Sequence, residues 1–378
     1  MARIYLDARA AGSATSGVGR YGHALVDELS RQSSRHEFIV IAGHGLATQL
    51  RGRGVQCAEV GGSGSVGLAL SRLLLTAAFR THGPADVYHA LFHVVPYGIR
   101  RGTHAPPRVI VTLHDLVWID HAKQVDPRPL QAAWRRRVGT SLIPYALTVA
   151  DHVICNSDAT ALAATRWLPS DRRSVVHMGV DQAFLTAGET RHEATHGSPY
   201  ITAFGVPKPY KNIACLVRAL AVVRRDHPGV RLVLLGGDGG VHAEIVRLGL
   251  QSAVDVRRNV SDTELRDVVR GAEVHVVPSL VEGFGLPVIE AMALGTPVVT
   301  SDAAALREVA GDAAPSVCAT DPDALAAVIA RLLDDASLRS AFSIAGLERA
   351  RRFTWGQTAV DTLAVYDRVL AAPARAQS

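Results

Sequence analysis

Short apolar segments alternate with amphipathic stretches along the whole chain, and this alternation restricts the fold more than any other feature. One series runs through Ile4–Asp7, Phe38–Ala42, Val55–Val60, Val87–Leu91, Val109–Leu113, Val153–Asn156 and Val175–His177. A second runs through Tyr200–Phe204, Arg231–Leu235, Asp255–Arg258, Val274–Val277 and Val298–Thr300. Segments this short, separated by stretches long enough for a helix, predict an α/β fold with parallel sheets. At 378 residues the chain is long for a single core, so two doubly wound, Rossmann-like domains are expected. The polar stretch 186–198, rich in Thr, Glu, Gly and His, reads as the linker between them. The first domain then covers 1–185 and the second 199–354, and a last helix over 355–372 packs on either domain, including back on the first. Ligands of such domains bind at the carboxyl ends of the strands, and a cleft between the two is the natural place for one.

Composition removes several classes. The chain is 48% hydrophobic, which excludes disorder, yet no apolar run reaches the length of a membrane span. A strand pattern begins at Arg3, so no signal peptide is expected. Cys57, Cys155, Cys215 and Cys318 are scattered, with no C-x-x-C pair, which argues against a disulfide framework or a zinc site and fits a reducing cytoplasm. The net charge of +5 suits phosphates, anionic lipid or nucleic acid without choosing among them; no nucleic-acid partner is expected.

The richest stretch is Glu282-Gly-Phe-Gly-Leu-Pro-Val-Ile-Glu290, which follows the strand pattern at Val274. Proline is tolerated in a first helical turn, so a helix opens at Leu286-Pro287. Gly283 and Gly285 let backbone approach a ligand closely, and amides from Phe284 to Leu286 at a helix start suit an anion. Helical side chains tilt toward the N-terminus, which turns Glu290 toward the loop that holds Glu282. Ionised carboxylates only accept hydrogen bonds and so suit the hydroxyl pairs of a sugar or ribose. A solvated loop acid and a dipole-complementing glutamate are the plain alternatives.

Gly17-Val-Gly19-Arg20-Tyr-Gly22 and the stretch Gly62 to Gly67 both spell G-x-G-x-x-G. The first lies too far from its strand for a dinucleotide turn, and neither is followed by a strand ending in an acid for the ribose. A nicotinamide enzyme is therefore disfavoured, and the first string reads as a flexible phosphate loop entering a helix at Arg20. His114 and Asp115 close the strand at Val109, where site residues sit and where an aspartate can fix a histidine tautomer. Lys208 and Lys211 follow the strand at Tyr200, where an ammonium can meet a diphosphate. Asp321-Pro-Asp323 spells a metal-binding D-x-D, but an amphipathic helix follows at once. We read it as Thr320 capping that helix, and no metal site is expected. Leu68 to Arg80 and Trp134-Arg-Arg-Arg137 read as basic amphipathic helices, either solvated or suited to a membrane surface.

Taken together, the Glu282–Val299 string resembles the signature of family 4 of the retaining glycosyltransferases, and the resemblance extends over most of the chain. It implies the GT-B fold and a nucleoside-diphosphate sugar as donor, with no cofactor or metal. It implies that Gly17, Gly19 and Arg20 face the donor diphosphate and that His114 lies beside the donor sugar. Lys211 aligns with the family's phosphate-binding lysine. Where the family carries a second base this chain has Val206 and Tyr210, which leaves Lys208 as the residue available for that role. Arg257-Arg-Asn259-Val260 resembles the segment whose backbone contacts the base. Glu282 would hold the transferred sugar and Glu290 the ribose. The motifs are most similar to bacterial mannosyltransferases using GDP-mannose, with a glycan or lipid-linked acceptor and peripheral contact with the inner face of a membrane. A non-hydrolysing UDP-sugar epimerase and a non-catalytic nucleotide-sugar binder are the alternatives that this reading leaves open.

Overall fold

The computed structural model describes residues 1–12, 16–32, 35–61, 64–100, 106–125, 128–188 and 199–373. The chain divides into two compact units. Met1–Ile119, Ala133–Gly179 and the chain from Trp355 onward form the first, and Asp120–Ala132 with Val180–Thr354 form the second. Of the stretch 186–198, residues 186–188 end the helix Gln182–Gly188 in the second unit, and 189–198 lie outside the described residues.

The first unit holds β1 (Ala2–Asp7), β2 (His36–Ala42), β3 (Cys57–Glu59), β4 (Val87–Ala90), β5 (Arg108–Leu113), β6 (His152–Cys155) and β7 (Arg173–Val175). They form one parallel sheet in the order β3-β2-β1-β4-β5-β6-β7. The second unit holds β8 (Tyr200–Phe204), β9 (Arg231–Leu235), β10 (Val254–Arg257), β11 (Val274–Val277), β12 (Val298–Ser301) and β13 (Ser316–Val317). Their order is β10-β9-β8-β11-β12-β13, again parallel throughout. Strands β4, β6, β11 and β12 are buried at every position, as expected of strands covered on both faces. In each sheet the strand order reverses once, between β1 and β4 and between β8 and β11. Loops leaving such a pair part in opposite directions and open a crevice at the strand ends.

Three local expectations are corrected. Strand β7 begins two residues before the apolar run at Val175, and His177 lies past it, its carbonyl accepting from Thr358 Oγ1 at 2.8 Å. The stretch Leu68 to Arg80 is not one helix but parts of two, Gly64–Leu70 and Arg72–His82. Ser71 interrupts them because its hydroxyl is buried, donating to Leu68 O and accepting from Arg9 Nη1, both at 2.7 Å. Asp321, not Thr320, caps the helix Pro322–Asp334, accepting from the amides of Asp323 and Ala324. Its carboxylate reaches both first-turn amides, and that is the role of this D-x-D.

The helix Trp355–Ala371 completes the core of the first unit. It packs against the helix Gly17–Arg31, with Trp355 and Tyr21 rings 6.2 Å apart, and its Tyr366 is fully buried. Tyr366 Oη meets His89 Nδ1 at 2.7 Å, His89 Nε2 meets Thr112 Oγ1 at 2.9 Å, and Thr112 Oγ1 meets Tyr21 Oη at 2.9 Å. This chain of buried groups ties the last helix to β4, β5 and the helix at Gly17. Tyr366→Phe leaves His89 Nδ1 without its partner, so thermal or urea unfolding should show a loss of about 1–3 kcal/mol. Unfolding indistinguishable from wild type would mean that the bond contributes nothing.

Candidate functional site

In the second unit, the loops leaving β8 and β11 are tied to each other. Gly205, directly after β8, lies so close to the glycine turn after β9 that a Cβ there would fall 1.8 Å from Gly237 O. The chain then makes a 3-10 turn at Pro209–Lys211 and enters the helix Ile213–Val223 through Asn212, in the left-handed conformation at φ 58°. Asn212 Nδ2 donates to Pro278 O at 2.9 Å and Ala319 O at 2.7 Å, and Leu280 N donates to Tyr210 O at 2.8 Å. These bonds set Lys211 opposite Glu282. Lys211 Nζ lies 2.6 Å from Glu282 Oε1, which also accepts from Ser279 Oγ at 2.7 Å. The ammonium lies 5.1 Å from the ring centre of Tyr210. Both side chains of the pair are mostly buried, at 18% and 11% exposure, so their attraction is stronger than that of a surface pair.

Beyond Glu282 the chain turns through Gly283 and Phe284 to Gly285, whose φ of 126° and whose contact with Leu306 favour glycine. Phe284 is buried edge-on against Phe353, 5.8 Å between ring centres. The helix Leu286–Ala293 opens with no side-chain cap and with Pro287 in its first turn. Its positive end therefore faces the loop that carries Glu282. Glu290, one turn on, is only 5% exposed, so neither signature acid faces bulk solvent. Lys208 precedes the 3-10 turn on the same loop as Lys211. Asn259 (φ 54°) and Val260 follow β10, the edge strand two places from β8, and so stand apart from the Lys211–Glu282 group.

In the first unit, Gly17, Gly19 and Arg20 are not a loop but the first turn of the helix Gly17–Arg31. Ser16 caps it, its Oγ accepting from Gly19 N at 3.0 Å, which starts the helix three residues earlier than expected. Gly22 allows close packing, since a Cβ there would lie 2.5 Å from Ala11 Cβ. Of the second glycine string, Gly62 and Ser63 lie outside the described residues. His114, directly after β5, is buried, its ring edge-on to Tyr21 at 4.9 Å. Its Nε2 donates to Leu91 O at 2.9 Å, which leaves Nδ1 as the acceptor nitrogen. Asp115 Oδ1 instead accepts from Val117 N at 3.0 Å and caps the short helix Val117–Asp120; the carbonyl of Leu91 sets the tautomer. Ser279, Asn212 and Tyr21 support these groups, and of the three only Tyr21 lies inside a string singled out above, that of Gly17 to Gly22. Ser279 stands three residues before Glu282 on the same loop, a spacing from which it could have been found.

Residues 15–184 match the family described as Glycosyltransferase Family 4, and residues 189–349 match Glycosyl transferases group 1. The chain is 32% identical over 280 residues to an MMP alpha-(1->4)-mannosyltransferase of Mycolicibacterium hassiacum, covering 70% of this chain and 66% of that protein. It is 33% identical over 325 residues to a D-inositol 3-phosphate glycosyltransferase 2 of Catenulispora acidiphila, covering 79% and 74%. The shared region is thus about two thirds to three quarters of each relative. A sucrose-phosphate synthase of Thermosynechococcus elongatus has the same fold, with a TM-score of 0.76 at 22% identity over 99% of this chain and 100% of that one. Among the described residues no helix is long and apolar enough to cross a membrane.

Burial pushes the imidazoles of His89, His93 and His275 down to about 3 and those of His114 and His152 to about 4. Unfolded, these rings protonate near 6.5, so below that pH the unfolded chain binds more protons than the folded one. Stability is therefore unaffected by these groups above pH 6.5 and is lost progressively as pH falls toward 4. Melting temperature should be nearly level from pH 7 to 8 and drop steeply between 6 and 4. A level profile down to pH 4.5 would show that the rings take up protons without unfolding.

Proposed function

The chain belongs to family 4 of the retaining glycosyltransferases, and from that membership we propose that it moves a hexose, mannose by preference, from a nucleoside-diphosphate sugar to a hydroxyl of a glycan or lipid-linked acceptor. The observation that carries the reading is the Lys211–Glu282 pair at the point where the strand order of the second sheet reverses. A cation and an acid beside an uncapped helix start match the two halves of such a donor. The ammonium of Lys211 and the amides from Gly283 through Leu286 stabilise the charge that grows on the departing diphosphate. Glu282, held by Ser279, accepts hydrogen bonds from the transferred sugar, and the buried Glu290 accepts from the ribose diol. Lys208 adds positive charge, and the backbone at Asn259 and Val260 meets the base.

Gly17, Gly19 and Arg20 offer a second helix start to the phosphates. His114, held neutral, accepts a hydrogen bond from a hydroxyl of the sugar at Nδ1. The bond from the anomeric carbon to phosphate breaks as the bond to the acceptor oxygen forms on the same face, and the leaving phosphate takes the acceptor's proton. The preference for mannose rests on the motifs and on the likeness to the mannosyltransferase of Mycolicibacterium hassiacum, and that for GDP on the motifs alone. Leu70 and Leu73, at 71% and 73% exposure, flank Arg72 and make a surface that suits the anionic inner face of a membrane, where a lipid-linked acceptor would lie.

Glu282→Ala should lower transfer at least a hundredfold, a loss on the scale of one major electrostatic contact, with folding retained. In a thermal-shift panel of GDP-, UDP-, ADP- and dTDP-sugars, GDP-mannose should raise the melting temperature most. Wild-type turnover by Glu282→Ala would remove the assignment, and a larger shift with another nucleotide sugar would replace the donor.

A further inference from the structure

His93 is a buried group to which the proposed transfer gives no role. It lies on the loop leaving β4, at the reversal of strand order in the first sheet, and is only 3% exposed. Its neighbours at the strand ends are paired: His89 through both ring nitrogens, His114 through Nε2. Both ring nitrogens of His93 are shut off from solvent and find no hydrogen-bond partner among the described residues. Leaving a buried polar atom unpaired costs about 1–3 kcal/mol, so a chain carrying two on one ring has a reason outside its own packing.

The surroundings say what would pair them. The ring is tilted 35° against that of Phe92, 3.8 Å between centres, and lies edge-on to Trp118 at 5.9 Å. The two rings beside it are partly exposed, so the imidazole lies within one side chain of the surface. Burial keeps it neutral, with His114 nearby adding to the effect. A neutral imidazole has one donor and one acceptor, the pattern of a hydroxyl, whereas an anion wants donors alone. Aromatic faces beside such a group suit the apolar face of a sugar ring.

We propose that His93 is a specificity-determining residue that holds a hydroxyl of the sugar acceptor through its ring nitrogens. This rests on the glycosyl-transfer reading, and two variants test it separately from that reading. His93→Leu removes both unpaired atoms at similar volume and should raise the melting temperature of the ligand-free protein by about 2–4 °C. With GDP-mannose saturating and octyl α-D-mannopyranoside varied, the same variant should raise the acceptor KM at least tenfold while the thermal shift given by GDP-mannose stays. His93→Gln, which keeps a donor and an acceptor, should hold the acceptor KM within about threefold of wild type. An unchanged acceptor KM in His93→Leu overturns the proposal, and so does an unchanged or lower melting temperature. If the wild type neither transfers nor shifts with GDP-mannose, the donor reading fails, and an unchanged or lower melting temperature of ligand-free His93→Leu would overturn the role of His93 separately.

Discussion

The candidate donor site depends on two loops that leave adjacent parallel strands in opposite directions and are nevertheless fastened together. Asn212 does most of the fastening: in the left-handed conformation it sends one amide nitrogen to Pro278 O and Ala319 O. Ser301 Oγ donates to Ser279 O from the strand beyond, and Leu280 N donates to Tyr210 O. Each bond satisfies a main-chain group at the end of a strand, where no ladder partner exists. The pairing of Lys211 with Glu282 follows from this fastening. The ion pair itself is a modest contributor to stability, since desolvating two charges offsets much of their attraction. Its consequence is placement: an ammonium and a carboxylate held ready, with rotamer freedom already reduced, beside the positive end of a helix.

Much of this was legible in the residues. The parallel sheets were readable because their strands are apolar on both faces, a pattern that survives without any tertiary information. Glu282, Gly283, Gly285 and Pro287 could be placed because each has a local backbone reason to stand where it does. What escaped was set by distant contacts. Strand β13 is only two residues long, Ser316 and Val317, and exists because β12 offers it an edge. The glycines at 17 and 19 suggested a loop by propensity, but one serine cap outweighed them and drew both into a helix. Asp115 looked like the partner of His114 because it is adjacent, yet the carbonyl of Leu91, distant in sequence, holds that ring. The pairing of Tyr366 with His89 spans most of the chain and leaves no trace in local pattern.

The two units share a strand order and differ in the chemistry at their strand ends. In the second unit the reversal point carries opposite charges and a helix terminus, an arrangement for handling an anion. In the first, the ends of β4 and β5 carry His89, His93 and His114, each held neutral by burial. A neutral imidazole offers one donor and one acceptor, which matches a hydroxyl better than a phosphate, whose oxygens want donors alone. That division suits a transfer in which negative charge stays with the leaving diphosphate while the incoming partner is an uncharged alcohol. It also fits the role proposed for His93: an apolar replacement would pack as well, but it could not tell one hydroxyl arrangement from another.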